Sequence, residues 1–262
     1  MLHYEEYTME NKKYFLLVTM TLHLLALIGL IILPFEVEDI YLFIAGYILI
    51  GGLGVNIGLH RWASHRSVQL NTIAKPIVLF FSTMACQGNP LWWAAIHRRH
   101  HRFSDQEKDH HSPVVQNKWF AFFGWLIEHE HKNVEYKYSG DLIRDKMVVW
   151  FSNHCLTITW GTWFVLLVIN PTVLLWFIVL PAIVALHSEG LVNAFCHGTS
   201  GYRNFETKDQ SRNVSLLGWL NWGNGWHNNH HSNPSSFDFG RGISGKWWEL
   251  DPCTLILPLI RK

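Results

Sequence analysis

The sequence predicts an all-α integral membrane protein in which four transmembrane helices carry a cytoplasmic helical cap, and three observations predict it. Long stretches of the chain contain no charged residue. Asp, Glu, Lys and Arg make up only 16% of the 262 residues, against about 25% in soluble domains. All 21 Lys and Arg fall on one side of the spans that the uncharged stretches define. An apolar content of 49% excludes a disordered chain. Four Cys without a CxxC pair exclude a small disulfide-held scaffold, and a net charge of +1 without a basic arm gives no sign of a nucleic-acid partner.

Residues 14–35 and 40–59 are each uncharged and long enough to cross a hydrocarbon core of about 30 Å. The first lacks a short apolar core followed by a small-residue cleavage site, so it reads as a retained span. Residues 147–188 are uncharged over twice that length, and Asn170-Pro171 near the middle predicts a hairpin of two helices. The expected spans are therefore 14–35, 40–59, 150–169 and 172–192, within a single domain over 1–262 whose cap is 60–149 and 196–262.

A fifth candidate, residues 76–96, is interrupted by Gln87-Gly88-Asn89-Pro90. Making it a span would put Arg98 to Lys146 across the membrane and spoil the asymmetry, so the positive-inside rule favours four spans with both ends cytoplasmic. The segment then becomes a broken helix covered by protein. Residues 118–127 and 246–259 are aromatic-rich and short, and are expected at the headgroup level or as helices of the cap.

The chain carries 17 His, and nine of them fall into four groups near the predicted cytoplasmic face. His60 and His65 flank the end of the second span. His97, His100 and His101 follow the broken helix. His197 lies beyond Asn193 at the end of the fourth span, and His227, His230 and His231 lie in the last cap segment. Positions i, i+3 and i+4 share one face of a helix, so each HxxHH group is expected to aim three imidazoles at one point, and Asn193 and His197 to share a face. His60 and His65 sit about 140° apart on an α-helix and converge only if it bends or ends between them. Nine imidazoles exceed one tetrahedral site and fit two metals of higher coordination; iron, zinc, copper and nickel all accept such a set.

A competing pattern is present in Glu107-x-x-His110 and Glu128-x-x-His131, which match the ExxH element of carboxylate di-metal bundles. That site needs long bundle helices and two further Glu, whereas Glu107 lies in a turn-prone charged run and the spans hold almost no Glu. The remaining His (3, 23, 110, 111, 129, 131, 154 and 187) read mostly as structural. His187 and Glu189 are the exceptions, because ionisable groups inside a span are costly and mark function by default.

HRWASH, HRRHH and GWHNNHH, in this order and separated by apolar spans, resemble the membrane fatty-acyl desaturases, above all the acyl-CoA Δ9 branch. GLHRWASHRS, MACQGNPLWWAAIHRRHHRFSD, GWLIEH, GYRNFETKDQSRN and WWELDP extend the likeness from about Gly54 to Pro252. The resemblance implies two iron ions held by His60, His65, His97, His100, His101, His197, His227, His230 and His231, with Asn193 holding a water on one of them, and O2 as co-substrate. It implies a buried acyl tunnel whose bend is shaped by Gln87 and Trp93.

This chain departs from the family at three places. Glu189-Gly190 stands where Thr-Trp is usual, Asn224 replaces an acidic residue, and Asp109-His110-His111 replaces Asp-Pro-His. The first departure bears on the tunnel; the last makes Asp109 and His111 candidates for orienting ligands.

The expected reaction is insertion of a cis double bond, at Δ9, into a saturated acyl chain carried as a CoA thioester. Without a cytochrome b5-like domain, a GxGxxG or a CxxC cluster, the two electrons are expected from a separate donor such as ferredoxin, rubredoxin or cytochrome b5. Arg98, Arg99 and Arg102 are candidate contacts for a headgroup or that donor, against the alternative of ordinary positive-inside charge. A bacterial inner membrane fits the compact length. The same metals would serve a hydroxylase or other oxidase of an apolar substrate. A non-catalytic membrane metal-binding protein is the third reading, and the grouping of ligands at one end of the spans argues against transport.

Overall fold

The computed structural model describes residues 6–128 and 136–262, so Glu128-x-x-His131, His3 and His129 lie wholly or partly outside the described residues. Helices account for its regular structure, and among the described residues β-pairing is limited to isolated bridges such as His197 to Ser211 and Asn213 to Trp226.

Helix α1 (Glu6–Ile32) exposes Leu17, Leu24, Leu27, Ile31 and Ile32 while burying Val18, Leu22 and Ala26. A helix that shows apolar residues to the outside as well as to its neighbours suits a lipid surround. The helix covers residues 14–32 of the expected span 14–35. Helix α2 (Asp39–Ser64) is the centre of the molecule, with every residue from Ile50 to Ser64 buried. From Ile48 onward it is a π-helix.

Helix α3 (Ala74–Met84) packs closely along α2: a Cβ on Gly54 would lie 2.5 Å from the Phe81 carbonyl oxygen, and the Ser82 hydroxyl donates to the Gly54 carbonyl at 2.8 Å. The expected break follows. Cys86 and Gly88 take positive φ, and the Asn89 side chain then caps helix α4 (Pro90–Phe103) by accepting from the Trp92 N–H at 2.9 Å, with Pro90 supplying the first turn.

Helix α5 is a π-turn over Phe120–Gly124 that continues as Trp125–Glu128; it lies against α1 and α8 with Trp119 exposed at its start. Helices α6 (Lys146–Asn153) and α7 (Cys155–Ile169) meet at a 60° bend, so the expected span 150–169 is two helices broken at His154. The His154 ring makes a 2.8 Å bond with its own helix's Trp150 carbonyl, and its backbone leaves the helical region. The Asn170-Pro171 hairpin forms as read from the sequence: the Asn170 side chain accepts from the Val173 N–H at 3.1 Å and starts α8 (Pro171–Phe195).

Among the described residues, α2 and α8 are long and apolar enough to cross a membrane, and the bent α6–α7 pair makes a third if it is one span. Four short helices complete the chain: α9 (Ser215–Leu220), α10 (His227–Ser232), α11 (Arg241–Ser244) and α12 (Cys253–Ile260). The last packs on α2 through Cys253 and Leu257 and leaves Leu255 and Leu259 exposed, an apolar outer face on the segment expected near the headgroups. The four Cys are buried thiols.

Candidate metal centre

The π-helical end of α2 answers the geometric difficulty posed by His60 and His65. In a π-helix the N–H bonds the carbonyl five residues back, and His65 N–H donates to the His60 carbonyl at 3.1 Å. Residues five apart then stack, and the two ring centres lie 4.9 Å from each other.

The nine His form two groups of convergent ring nitrogens, each group lying within 4.8 Å: His60, His65, His97, His101 and His230 in one, His100, His197, His227 and His231 in the other. Each HxxHH box is thus divided between two points. On an α-helix, i+4 lies about 40° from i on one side and i+3 about 60° on the other. The pairs four apart, His97 with His101 and His227 with His231, therefore stay together, while His100 and His230 swing to the opposite cluster. Asn193 and His197 also differ from expectation, because α8 ends at Phe195 and His197 sits beyond it, bridged to Ser211.

The donor chemistry fits metal ions. In the first cluster, Nε2 atoms approach one another at 3.0 Å (His60 to His230), 2.8 Å (His65 to His97), 3.1 Å (His97 to His101) and 3.0 Å (His101 to His230). Two imidazoles bound about 2.1 Å from one ion at right angles have nitrogens about 3.0 Å apart. In the second cluster, His197 and His227 meet at 2.9 Å, while the buried Nε2 atoms of His100 and His231 have no hydrogen-bond partner among the described residues.

Carboxylates hold the opposite sides of these rings. Nδ1 of His100 lies 3.0 Å from both Asp109 oxygens, that of His197 2.9 Å from Asp105, and that of His231 2.8 Å from Asp209. Such partners fix the tautomer and turn Nε2 toward a metal. Burial opposes ionisation of all three carboxyls, yet the facing imidazoles outweigh it and hold them below the usual carboxylate range. Burial, joined by neighbouring ring charges, pushes His65 down to about 3; for His231 burial outweighs the Asp209 partner and gives about 4. Neutral imidazole is the form a metal requires.

Asp109 is legible from its place near the second box. Asp105 and Asp209 escape a reading of spacing, although each lies in a quoted segment within a few residues of other polar motifs. His111 stacks on His100 with ring centres 4.5 Å apart, and burial lowers it to about 3. Glu107 is exposed, outside both clusters.

A cavity of about 70 Å³ adjoins both groups, lined by His60, His97, His100 and His227 on one side and by Gln87, Trp93, Glu189, Gly190 and Asn193 on the other. Its wall is tied to the rings: Trp93 donates from Nε1 to Gln87 Oε1 at 3.3 Å and stacks on His97 with centres 4.9 Å apart. Phe122 fills the space beside Gly190, where a Cβ would lie 2.4 Å from the Phe122 carbonyl oxygen. His187, by contrast, pairs with His23 at 2.9 Å and stacks on Phe122 and Phe123.

Arg98 is committed inward, against its reading as a headgroup or donor contact. Its guanidinium bonds the Ala63, Ser64 and Tyr138 carbonyls at 2.8, 2.6 and 2.7 Å and pairs with Asp141, tying α4 to the end of α2. Arg99 donates to the Lys108 carbonyl, and Arg102 is exposed over the Phe103 and Tyr138 rings. Arg61 is fully buried against Asp251, with its charge over the Phe239 ring that packs on His60 and His230.

Known proteins are similar to this chain over most of its length. The chain is 30% identical over 244 residues to an sn-1 stearoyl-lipid 9-desaturase of Anabaena variabilis, covering 92% of this chain and 87% of that protein. It is 32% identical over 236 residues to the sn-1 stearoyl-lipid 9-desaturase of Synechocystis, covering 88% and 71%. A hex-5-enoyl-[acyl-carrier protein] acetylenase of Moorena producens is 32% identical over 225 residues, covering 76% of this chain and 67% of its own. Residues 40–257, which span the two clusters, their carboxylates and the cavity, match the family described as fatty acid desaturase, and the chain belongs to that family of oxidoreductases.

Proposed function

We propose that this protein is a membrane desaturase that places a double bond at Δ9 of a saturated fatty-acyl chain, using O2 and two electrons from a separate donor. The single observation that carries the reading is the pair of convergent histidine clusters, five and four rings, beside a cavity lined by Gln87 and Trp93. In this reading two irons occupy the clusters, with Asn193 contributing through a water. When bound, they supply the oxidising power needed to remove two hydrogens from adjacent unactivated carbons.

The residues of the chain do the rest. Asp105, Asp109 and Asp209 hold three rings in the tautomer that ligates. Trp93 and Gln87 shape the cavity wall that positions one C–C bond beside the metals, and the apolar surround keeps bulk water away from them. In this reading the protein has four spans and a cytoplasmic cap, which the uncharged runs and the one-sided Lys and Arg support, with the site on the cytoplasmic face of a bacterial inner membrane.

The carrier is the open variable of this proposal. The sequence pattern favours CoA, whereas the three relatives reported above are named for stearoyl-lipid or acyl-carrier protein. Gas chromatography–mass spectrometry of fatty acids from aerobic bacteria expressing the chain, beside a His100→Ala control, tests the function. A new monounsaturated acid absent from the control is the expected result, and fractionating lipids from thioesters identifies the carrier. A hydroxy acid in its place overturns desaturation in favour of hydroxylation. With a matched donor added to membranes, the absence of any product overturns the oxidase reading as well.

A further inference from the structure

Glu189 lies on α8, which has no other charged residue, and the side chains that donate to it are amides. Its Oε1 accepts from Asn224 Nδ2 at 2.9 Å, Asn221 Nδ2 at 3.1 Å and Asn56 Nδ2 at 3.4 Å; its Oε2 accepts from Asn224 Nδ2 at 3.1 Å. Asn224 in turn presents Oδ1 to His60 Nδ1 at 2.9 Å. We propose that Glu189 is a positioning residue: acting through Asn224, its carboxylate fixes the tautomer of His60 and so presents the Nε2 lone pair of that ring to the five-histidine cluster. The inference rests on the two-metal reading given above.

The logic is one of donors and acceptors. An ionised carboxylate only accepts, so the amide nitrogen of Asn224 must face Glu189 and its oxygen must face the ring. An oxygen acceptor requires the hydrogen on Nδ1 of His60. Neutral imidazole carries one N–H, so Nε2 is left as a lone pair. That atom is the one within 3.0 Å of His230 Nε2, inside the cluster.

The other rings show the same device with one fewer link, since His100, His197 and His231 each meet a carboxylate directly at Nδ1. For His60 the carboxylate stands one amide away, on α8. Asn221 and Asn56 brace it by donating to the same oxygen. A neutral amide at position 189 would bring its own donors against three amide donors and leave a single acceptor oxygen. Asn224 would then be free to turn its NH2 to the ring, which moves the imidazole hydrogen to Nε2 and removes a ligand.

The test uses the full chain in detergent as wild type, Glu189→Gln, Asn224→Asp and the double variant, each reconstituted with ferrous iron. Iron per chain and its loss to a graded chelator are measured, with melting temperature followed in parallel. The expected result is two irons in the wild type, and in Glu189→Gln a 10- to 100-fold weaker hold on one of them with the other unchanged. Asn224→Asp is also expected to weaken one site, because two carboxylates then face each other. The double variant is expected to recover, since the carboxylate introduced at position 224 accepts from His60 while the amide introduced at position 189 donates to that carboxylate.

Wild-type affinity at both sites in Glu189→Gln overturns the relay, and so does a double variant no better than the worse single one. If Glu189→Gln aggregates, the double variant decides: recovery of fold and metal supports the relay, and continued aggregation overturns it. A wild-type chain that binds no iron sinks the two-metal reading itself, a result distinct from either.

Discussion

His100 and His101 are neighbours in sequence, with ring centres 5.5 Å apart and planes at 76°, yet each belongs to a different histidine cluster. Helix α4 therefore forms part of both sites. Replacing one ring by Ala is expected to empty its own site selectively: His101→Ala retains the four-histidine site, His100→Ala the five-histidine site. Metal analysis should show about one ion per chain in each variant, with desaturation lowered at least about 100-fold in both. Retention of two ions by either variant would remove that ring from the ligand set.

Asp209 holds His231 from the side away from the cluster at 2.8 Å. Asp209→Asn keeps the shape but lets the amide donate to Nδ1, which turns the imidazole hydrogen to Nε2. The expected loss is 10- to 100-fold in affinity for one metal. Chelator titration checks it, and Asp105→Asn should behave alike through His197.

Gly190 gives a steric prediction that does not involve metal. A Cβ there would lie 2.4 Å from the Phe122 carbonyl oxygen and 2.9 Å from its ring. Gly190→Ala is expected to cost about 1–3 kcal/mol through forced separation of α5 and α8, read as a lower melting temperature of the metal-free protein. Adding Phe122→Ala should restore little, because the nearest obstacle is backbone.

Asp141 and Asp145 pin the segment before α6, the first by bonds from Arg98 and Arg66, the second by Lys75. Partial burial works against their ionisation, but these cations outweigh it and hold both carboxyls below the usual range. A depressed folded pKa means the unfolded chain takes up the proton first. Their contribution is therefore complete above about pH 4, where a free Asp is ionised, and is lost as pH falls further. Solvent screening keeps it modest for Asp141, which is 43% exposed. Melting curves at pH 5 and pH 3 should show a smaller acid-induced drop in the double variant Asp141→Asn/Asp145→Asn than in the wild type.

The sequence made the helical class, the Asn170-Pro171 hairpin and the break at Asn89 readable, because each rests on a local signal: an uncharged run, a proline, a capping side chain. The nine His are equally visible as a set. Their partition is not, since a shared helix face reads as a single target, whereas the 100° between i+3 and i+4 is enough to serve two. The convergence of His60 with His65 depends on π-helical hydrogen bonding, for which the run ILIGGLGVNIGLHRWAS carries no simple periodic mark. The roles of Asp105 and Asp209 depend on contacts across 92 and 22 residues, which no spacing rule conveys. His154 likewise gives no warning that the third apolar run will bend.

The buried pair of Arg61 with Asp251 joins residues 190 positions apart, and Asp251 also accepts from the Phe239 N–H at 2.9 Å. This latch has a consequence for biogenesis. Domains assemble from the N-terminus as the ribosome delivers them, so α2 enters the bilayer with the Arg61 charge unmatched until the stretch around Asp251 has emerged. Only then can Phe239 settle against His60 and His230. In the two-iron reading, iron reaching a chain that stops short of this stretch would meet incomplete sites, and a nonsense truncation before Asp251 should hold less iron per chain than the intact protein.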